Sequence, residues 1–248
     1  MSKSIYIHGF HSLESLLKSN PESVLKVFIQ TKREDKRVLS ILNDLTNHKI
    51  SVSKIDKNKL DNLVKSESHQ GIVSEIIPPS FPGERALIED IKNSSIKPLM
   101  LILDSIQDPR NLGACLRTAN AAGVDYVIIN KDGSAPVNAL VYKASAGAIN
   151  SLRIYQVTNL VRTIKAVQKE GLWVIGLDGK ASTTIYNVNL ADSTAIVMGS
   201  EGKGIRLLIK KTCDQLVTIP MSGDVESLNV SVATGITLFE SMRQRKTN

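Results

Sequence analysis

Two rhythms of apolar and polar positions divide the 248-residue chain. In the first 78 residues, short apolar runs alternate with helical spacing. Leu13, Leu16 and Leu17 share one face of a helix, with Ser12 as its expected cap. Residues 24–29 predict a strand, 38–45 a helix, 50–52 a short strand, 57–64 a helix and 71–77 a closing strand. This order predicts a small α/β unit. The run 78–83, Pro-Pro-Ser-Phe-Pro-Gly, breaks regular structure. It predicts a linker, with a short helix over 86–91 before a second domain opens near Lys97. The expected division is 1–78, a linker at 79–96, and 97–248.

From there the pattern repeats strand, loop, helix. Strands are predicted at 99–103, 126–129, 153–157, 173–177, 195–198 and 216–219, with helices over 111–122, 159–169 and 205–211. Most of these strands are unbroken apolar runs, as expected when helices cover both faces of a parallel sheet. A last helix is predicted over 226–244, with Leu228, Val232, Ile236, Phe239 and Met242 as one apolar stripe. Arg243, Arg245 and Lys246 at its end complement the helix dipole.

Three polar loops follow three of these strands. The first, after 99–103, carries Asp108-Pro109, a cap-plus-proline helix start, then Asn111, Gly113 and Arg117. Arg117 lies six residues beyond Asn111, roughly 9 Å along a helix. Read singly, Asn111 is a capping amide and Arg117 an exposed charge. The second loop is Gly199-Ser-Glu-Gly-Lys-Gly204. It lacks the Gly-Lys-Ser/Thr of a phosphate-binding P-loop. It also has Leu207 where a dinucleotide fingerprint needs its third glycine. The third loop runs from Ile219 to Ser231, with Ser227, Asn229 and Ser231 at the start of the last helix. One cap needs one such residue; three exceed that need. Ligands bind at the carboxyl ends of strands in open α/β sheets, so three polar loops there predict a ligand site.

Composition narrows the ligand. With 31 Lys and Arg against 24 Asp and Glu, the net charge of +7 permits a polyanionic partner. Aromatic residues make up 4%, too few for binding dominated by base stacking. Any RNA contact is expected to use phosphates and shape, with Lys3, Lys32, Arg33, Lys36 and Arg37 as basic candidates. Cys115 and Cys213 form no CxxC and the four His are not spaced for zinc, so neither a disulfide framework nor a metal site is expected. The opening residues lack an apolar leader core and no apolar run reaches 18 residues. A cytoplasmic protein with no membrane partner is expected.

The three loops resemble, in order and spacing, the three motifs of the SpoU class of RNA ribose methyltransferases in the SPOUT superfamily. Asn111, Gly113 and Arg117 match the first, Gly199, Glu201 and Gly202 the second, and Ser227, Leu228, Asn229 and Ser231 the third. The resemblance implies a parallel sheet with a deep trefoil knot, a homodimer, and S-adenosylmethionine as cofactor. It implies cofactor contacts at Gly199, Ile219 and Leu228, with Leu177 and Gly179 lining the same cleft. Arg117 would activate the ribose 2′-OH, either as a general base or as a cation that binds the RNA phosphate and makes the hydroxyl more acidic, with Asn111, Ser227 and Asn229 orienting Arg117 and the target ribose and Glu201 pairing with a cation or hydroxyl. The segments 7–17 and 68–72 resemble the ribosomal-protein-like RNA-binding domain fused to many members. That layout implies rRNA as substrate, at the ribose of a guanosine in the large-subunit (23S) rRNA. The same chemistry on tRNA is the nearest alternative. A silent RNA-binding or assembly factor is the other, and it would be expected to have lost Arg117, Asn111 or Asn229.

Overall fold

The computed structural model describes residues 4–33, 35–65 and 69–247, so Lys3 and Ser68 lie outside the described residues. In chain order the first elements are β1 (Ile5–His8), α1 (Phe10–Ser19), β2 (Val24–Gln30), α2 (Lys36–Asn47), β3 (Ser51–Ile55), α3 (Lys57–Val64) and β4 (Ile72–Ile76). Then follow α4 (Glu84–Lys92), β5 (Leu99–Asp104), α5 (Pro109–Ala121), β6 (Tyr126–Asn130), α6 (Ala139–Ser145), β7 (Ile154–Val157), α7 (Leu160–Lys169) and β8 (Trp173–Leu177). The last are β9 (Thr194–Gly199), α8 (Leu207–Lys210), β10 (Gln215–Val217) and α9 (Val230–Thr247).

These elements form two units. The first unites residues 1–80 with 136–151, so the division is not contiguous as expected from the sequence. Its four-stranded sheet has the order β1-β4-β2-β3, with β4 antiparallel to both neighbours and β2 parallel to β3. Val27 and Ile29 of β2 are buried, as are Leu13 and Leu16 of α1 and Ile41 and Leu45 of α2. Helix α1 starts at Phe10, two residues before the expected cap. Ser12 is instead buried, and its hydroxyl donates to the Tyr142 carbonyl of α6 at 3.5 Å. Ser15 donates to the Gly147 carbonyl at 2.8 Å. Gly147 has φ 87°, and a Cβ there would lie 2.7 Å from Ser15 Cβ, so glycine permits this close approach.

The second unit, residues 81–135 and 152–248, is built on an all-parallel six-stranded sheet of order β10-β8-β9-β5-β6-β7. Its core joins Met100 and Ile102 to Tyr126, Ile128, Val174 and Val197. Leu87 and Ile91 of α4 pack into that core, so the helix within the expected linker is a structural part of the unit. Every residue of β5 is buried, which is why that strand reads as one apolar run closed by Asp104. Register aligns Asp104 with Gly199 and Leu177 with Val217, so the loops that follow β5, β9, β8 and β10 share one carboxyl edge.

Helix α9 differs most from its sequence pattern. Its inner face is mainly polar: Thr234, Thr237, Glu240 and Ser241 are buried, while Val232 is 50% and Phe239 44% exposed. The buried hydroxyls are satisfied by main-chain carbonyls, Thr234 by Val230, Thr237 by Ala233 and Ser241 by Leu190. Arg245 is likewise not a free dipole charge. It donates to the carbonyls of Lys97, Pro98, Leu190 and Asp192, and burial lowers its affinity for a proton.

Candidate functional site

The carboxyl edge of the second sheet is where the three sequence-predicted loops meet. Asp108 caps α5, its carboxylate accepting from the Arg110 and Asn111 main-chain N–H groups. That leaves the Asn111 side chain free of capping. Asn111 Nδ2 donates to Glu201 Oε1 at 2.7 Å, and Asn229 Nδ2 donates to the same oxygen at 2.6 Å. Asn229 Nδ2 also reaches Asn111 Oδ1 at 3.2 Å. Residues 90 and 118 positions distant from Asn111 are thereby joined in one cluster.

Glu201 thus pairs with two amides rather than with a cation or hydroxyl. Its Oε2 makes no hydrogen bond among the described residues. Asn229 serves two ends at once. Its Oδ1 accepts from the Ser231 N–H and hydroxyl at 2.9 and 2.6 Å, which caps α9. Ser231 is spent on this cap. Ser227 is exposed and is not drawn into the cluster.

Arg117 lies on α5 and is exposed, with no hydrogen bond or ion pair among the described residues. Helix α9 fixes the helix that carries it: Cys115 Sγ lies 3.5 Å from Thr234 Oγ1, and a Cβ on Gly235 would meet Thr118 at 3.8 Å. Burial pushes the Cys115 thiol up to about 11, so this cysteine is an inert packing group.

The Gly-rich loop is held from below by a residue the sequence reading left unassigned. Asp104 has a side chain with 0% exposure and accepts from Arg206 Nε at 2.7 Å and Arg206 N at 3.0 Å. Its only sequence signal was a carboxylate closing an otherwise apolar strand. Gly199 is required by sterics, since a Cβ there would lie 2.0 Å from Gly204 C and 2.1 Å from Ile205 N.

A second region of the same edge lies at β8 and β10. The chain after β8 turns back to pair with the chain after β10: Thr218 N donates to the Thr183 carbonyl and Ile185 N to the Thr218 carbonyl, both at 2.9 Å. Leu177 and Ile219 are partly buried against Ile175, Ile185, Leu190 and Val217, giving a half-exposed apolar floor. Gly179 and Leu228 use neither main-chain N–H nor C=O in a hydrogen bond among the described residues. A Cβ on Gly179 would meet nothing within 4 Å. An apolar floor with open backbone donors and acceptors fits a cofactor that presents an aromatic base and polar edges.

In the first unit, Arg33 and Arg37 stack on the Phe10 ring at 4.9 and 4.6 Å from its centroid. Arg33 pairs with Asp35 and Arg37 with Glu14, and the Arg37 guanidinium holds the Glu14 carboxyl below its ordinary range. Of the basic candidates there, Lys32 and Lys36 are exposed. Among the described residues no group of His, Cys, Asp and Glu could hold a metal ion, and no helix is long and apolar enough to cross a membrane.

Known proteins resemble this chain along its whole length. The family model described as RNA 2′-O ribose methyltransferase substrate binding matches residues 6–82. The 23S rRNA (guanosine-2′-O-)-methyltransferase RlmB of Haemophilus ducreyi is 48% identical, over 99% of both chains. That of Pseudomonas aeruginosa is 45% identical, over 99% of this chain and 98% of its own. Among solved structures, the SpoU methyltransferase AviRb of Streptomyces viridochromogenes, in complex with AdoMet, superposes with TM-score 0.83 at 19% identity, covering 99% of this chain and 92% of its own. The TrmH/SpoU tRNA modifying enzyme of A. aeolicus gives TM-score 0.57 at 28% identity, covering 66% of this chain and 85% of its own. The model of the SpoU rRNA Methylase family matches residues 98–239, the part that holds all three loops, and the chain belongs to that family.

Proposed function

We propose that this protein transfers a methyl group from S-adenosylmethionine to the ribose 2′-OH of a guanosine in 23S rRNA. The observation that carries the reading is the Asn111–Glu201–Asn229 cluster, which ties three distant loops together at the carboxyl edge of the second sheet. Support for rRNA over tRNA is the first unit. Relatives named for 23S rRNA span both units, whereas the tRNA modifying enzyme covers 66% of the chain.

Main-chain groups of Gly179, Gly199, Ile219 and Leu228 would hold the cofactor, with Leu177 against its apolar part. Bound there, it supplies a sulfonium methyl that is already electrophilic. The protein's work is to position and activate a poor nucleophile. Glu201 fixes the two amides, and its free Oε2 can accept from a ribose hydroxyl. Asn111, Asn229 and Ser227 orient the ribose. Arg117 acts as a fixed cation that stabilises negative charge developing on the 2′ oxygen. The cation role is preferred to that of a base, because a guanidinium is a very weak acid.

The proposal includes a homodimer formed through α9. Val232 and Phe239 are apolar and exposed on a helix whose polar face is buried, the inverse of a solvent-facing helix. Replacing Phe239 by Asp is expected to halve the mass measured by light scattering at micromolar concentration. An unpaired buried charge costs about 2–5 kcal/mol in an interface, roughly 30-fold or more in affinity. A full dimer mass for Phe239→Asp would remove α9 from the interface. The strand order β10-β8-β9-β5 is compatible with the knotted thread of the family, and the location proposed is the cytoplasm.

Tritium transfer from labelled cofactor to undermethylated 23S rRNA, with tRNA in parallel, tests the substrate. Label is expected in a guanosine ribose of the rRNA. Label in tRNA alone would overturn the rRNA reading, and label in neither would overturn methylation.

A further inference from the structure

We infer that the pocket between the turn after β5 and the 200–210 segment is a phosphate subsite. It takes a phosphodiester of the RNA strand that carries the target ribose, held by Lys203 and Arg206. The inference rests on the ribose-methylation reading.

The pocket has a volume of about 480 Å³ and is walled by Ser105, Gln107, Glu201, Lys203, Arg206 and Lys210, among others. Its charges are equal in number but not all paired with one another. Asp178 pairs with Lys210 at 2.7 Å, and that cation holds the Asp178 carboxyl below its ordinary range. Glu201 is engaged by Asn111 and Asn229. Asp104 is engaged by Arg206. Lys203 has no ion pair among the described residues, so its ammonium is the pocket's unengaged cation, while Glu201, held by neutral amides, keeps its negative charge.

Arg206 is built for an anion. Its main-chain N and its Nε are both fixed by the buried carboxylate of Asp104, at 3.0 and 2.7 Å. Its two terminal nitrogens have no partner among the described residues, and the side chain is 57% exposed. A guanidinium anchored at Nε presents its remaining N–H groups as a rigid fork. That fork matches two phosphate oxygens, and little side-chain freedom remains to be lost on binding.

The pocket's position selects the ligand. Glu201 belongs both to its wall and to the cluster that orients the ribose. An anion bound here must lie next to that ribose, and in RNA the neighbouring anion is a backbone phosphate. Such contacts set register and carry no base information.

The test uses the full-length protein with two variants, Lys203→Ala and Arg206→Lys. Affinity for unmodified 23S rRNA transcribed in vitro is read by filter binding across a salt series, and S-adenosylmethionine affinity by calorimetry. Lys203→Ala is expected to lower the slope of log affinity against log salt by about 1. Arg206→Lys keeps the charge and loses the fork, so RNA affinity is expected to fall about tenfold. Cofactor affinity is expected to stay within about twofold in both variants, since neither residue is assigned to the cofactor.

Unchanged RNA affinity and slope in both variants would overturn the inference. So would a parallel loss of cofactor affinity, which would give the pocket to the cofactor. Inorganic phosphate alone serves as the control. Saturable binding of it, with RNA affinity untouched in the variants, would assign a free-anion site and overturn the RNA subsite. Because binding is read without turnover, a wild type that binds rRNA but transfers no methyl overturns the methylation reading separately.

Discussion

Replacing Arg117 by Ala is expected to lower kcat for methyl transfer by about 10²–10³-fold, on the scale of deleting one preorganised stabiliser of developing charge. The fold should not notice. Arg117 is exposed and unpaired among the described residues, and substitutions at such positions stay within about 0.5 kcal/mol. Thermal midpoint and S-adenosylmethionine affinity are therefore expected to match the wild type. Arg117→Lys separates two roles. A fixed positive charge is partly retained by lysine, so kcat should recover by about tenfold over the alanine variant if electrostatics dominate. If RNA positioning through a bidentate phosphate contact dominates, KM rises and kcat is spared. Wild-type turnover in Arg117→Ala would remove this residue from the mechanism altogether.

That experiment turns on a residue whose bare sequence reading was an exposed helix charge, and the reading was correct as far as it went. What the chain's pattern could not give was convergence. Asn111 looks like a cap until Asp108 is seen to hold both first-turn N–H groups. Asn229 looks like a cap and is one, while its Nδ2 reaches Glu201 as well. The parallel sheet was legible because β5 and its neighbours are buried on both faces, which forces unbroken apolar runs. Helix α6 was not legible, because its seven residues are too few for a helical period to show. The outward stripe on α9 was legible as a stripe but not in direction. Periodicity reports that two faces differ, and only packing reports which face the core takes. Asp104 went unread because a single carboxylate has no period at all.

Replacing Gly199 by Ala is expected to be the most damaging change to the fold near the site. The added Cβ would lie 2.0 Å from Gly204 C and 2.1 Å from Ile205 N, both backbone atoms. No side chain can rotate away, so the Gly-rich loop itself must move. Ordinary overpacking costs about 1–3 kcal/mol, and a backbone clash belongs at or above the upper end. For a chain of this size, ~3 kcal/mol corresponds to a fall in thermal midpoint of roughly 6–12 °C. Moving the loop also withdraws Glu201 from Asn111 and Asn229, so methyl transfer should fall together with stability. Gly179→Ala is the informative partner. Its Cβ would meet nothing within 4 Å, and the residue does not need a positive φ, so the midpoint should hold within about 2 °C. If the cofactor lies against that backbone, the same methyl occupies its space, and calorimetry should show affinity lowered about tenfold or more. A stable Gly199→Ala protein would mean the loop has slack that the packing does not show. A Gly179→Ala protein with undiminished cofactor affinity would move the cofactor off this stretch of the edge.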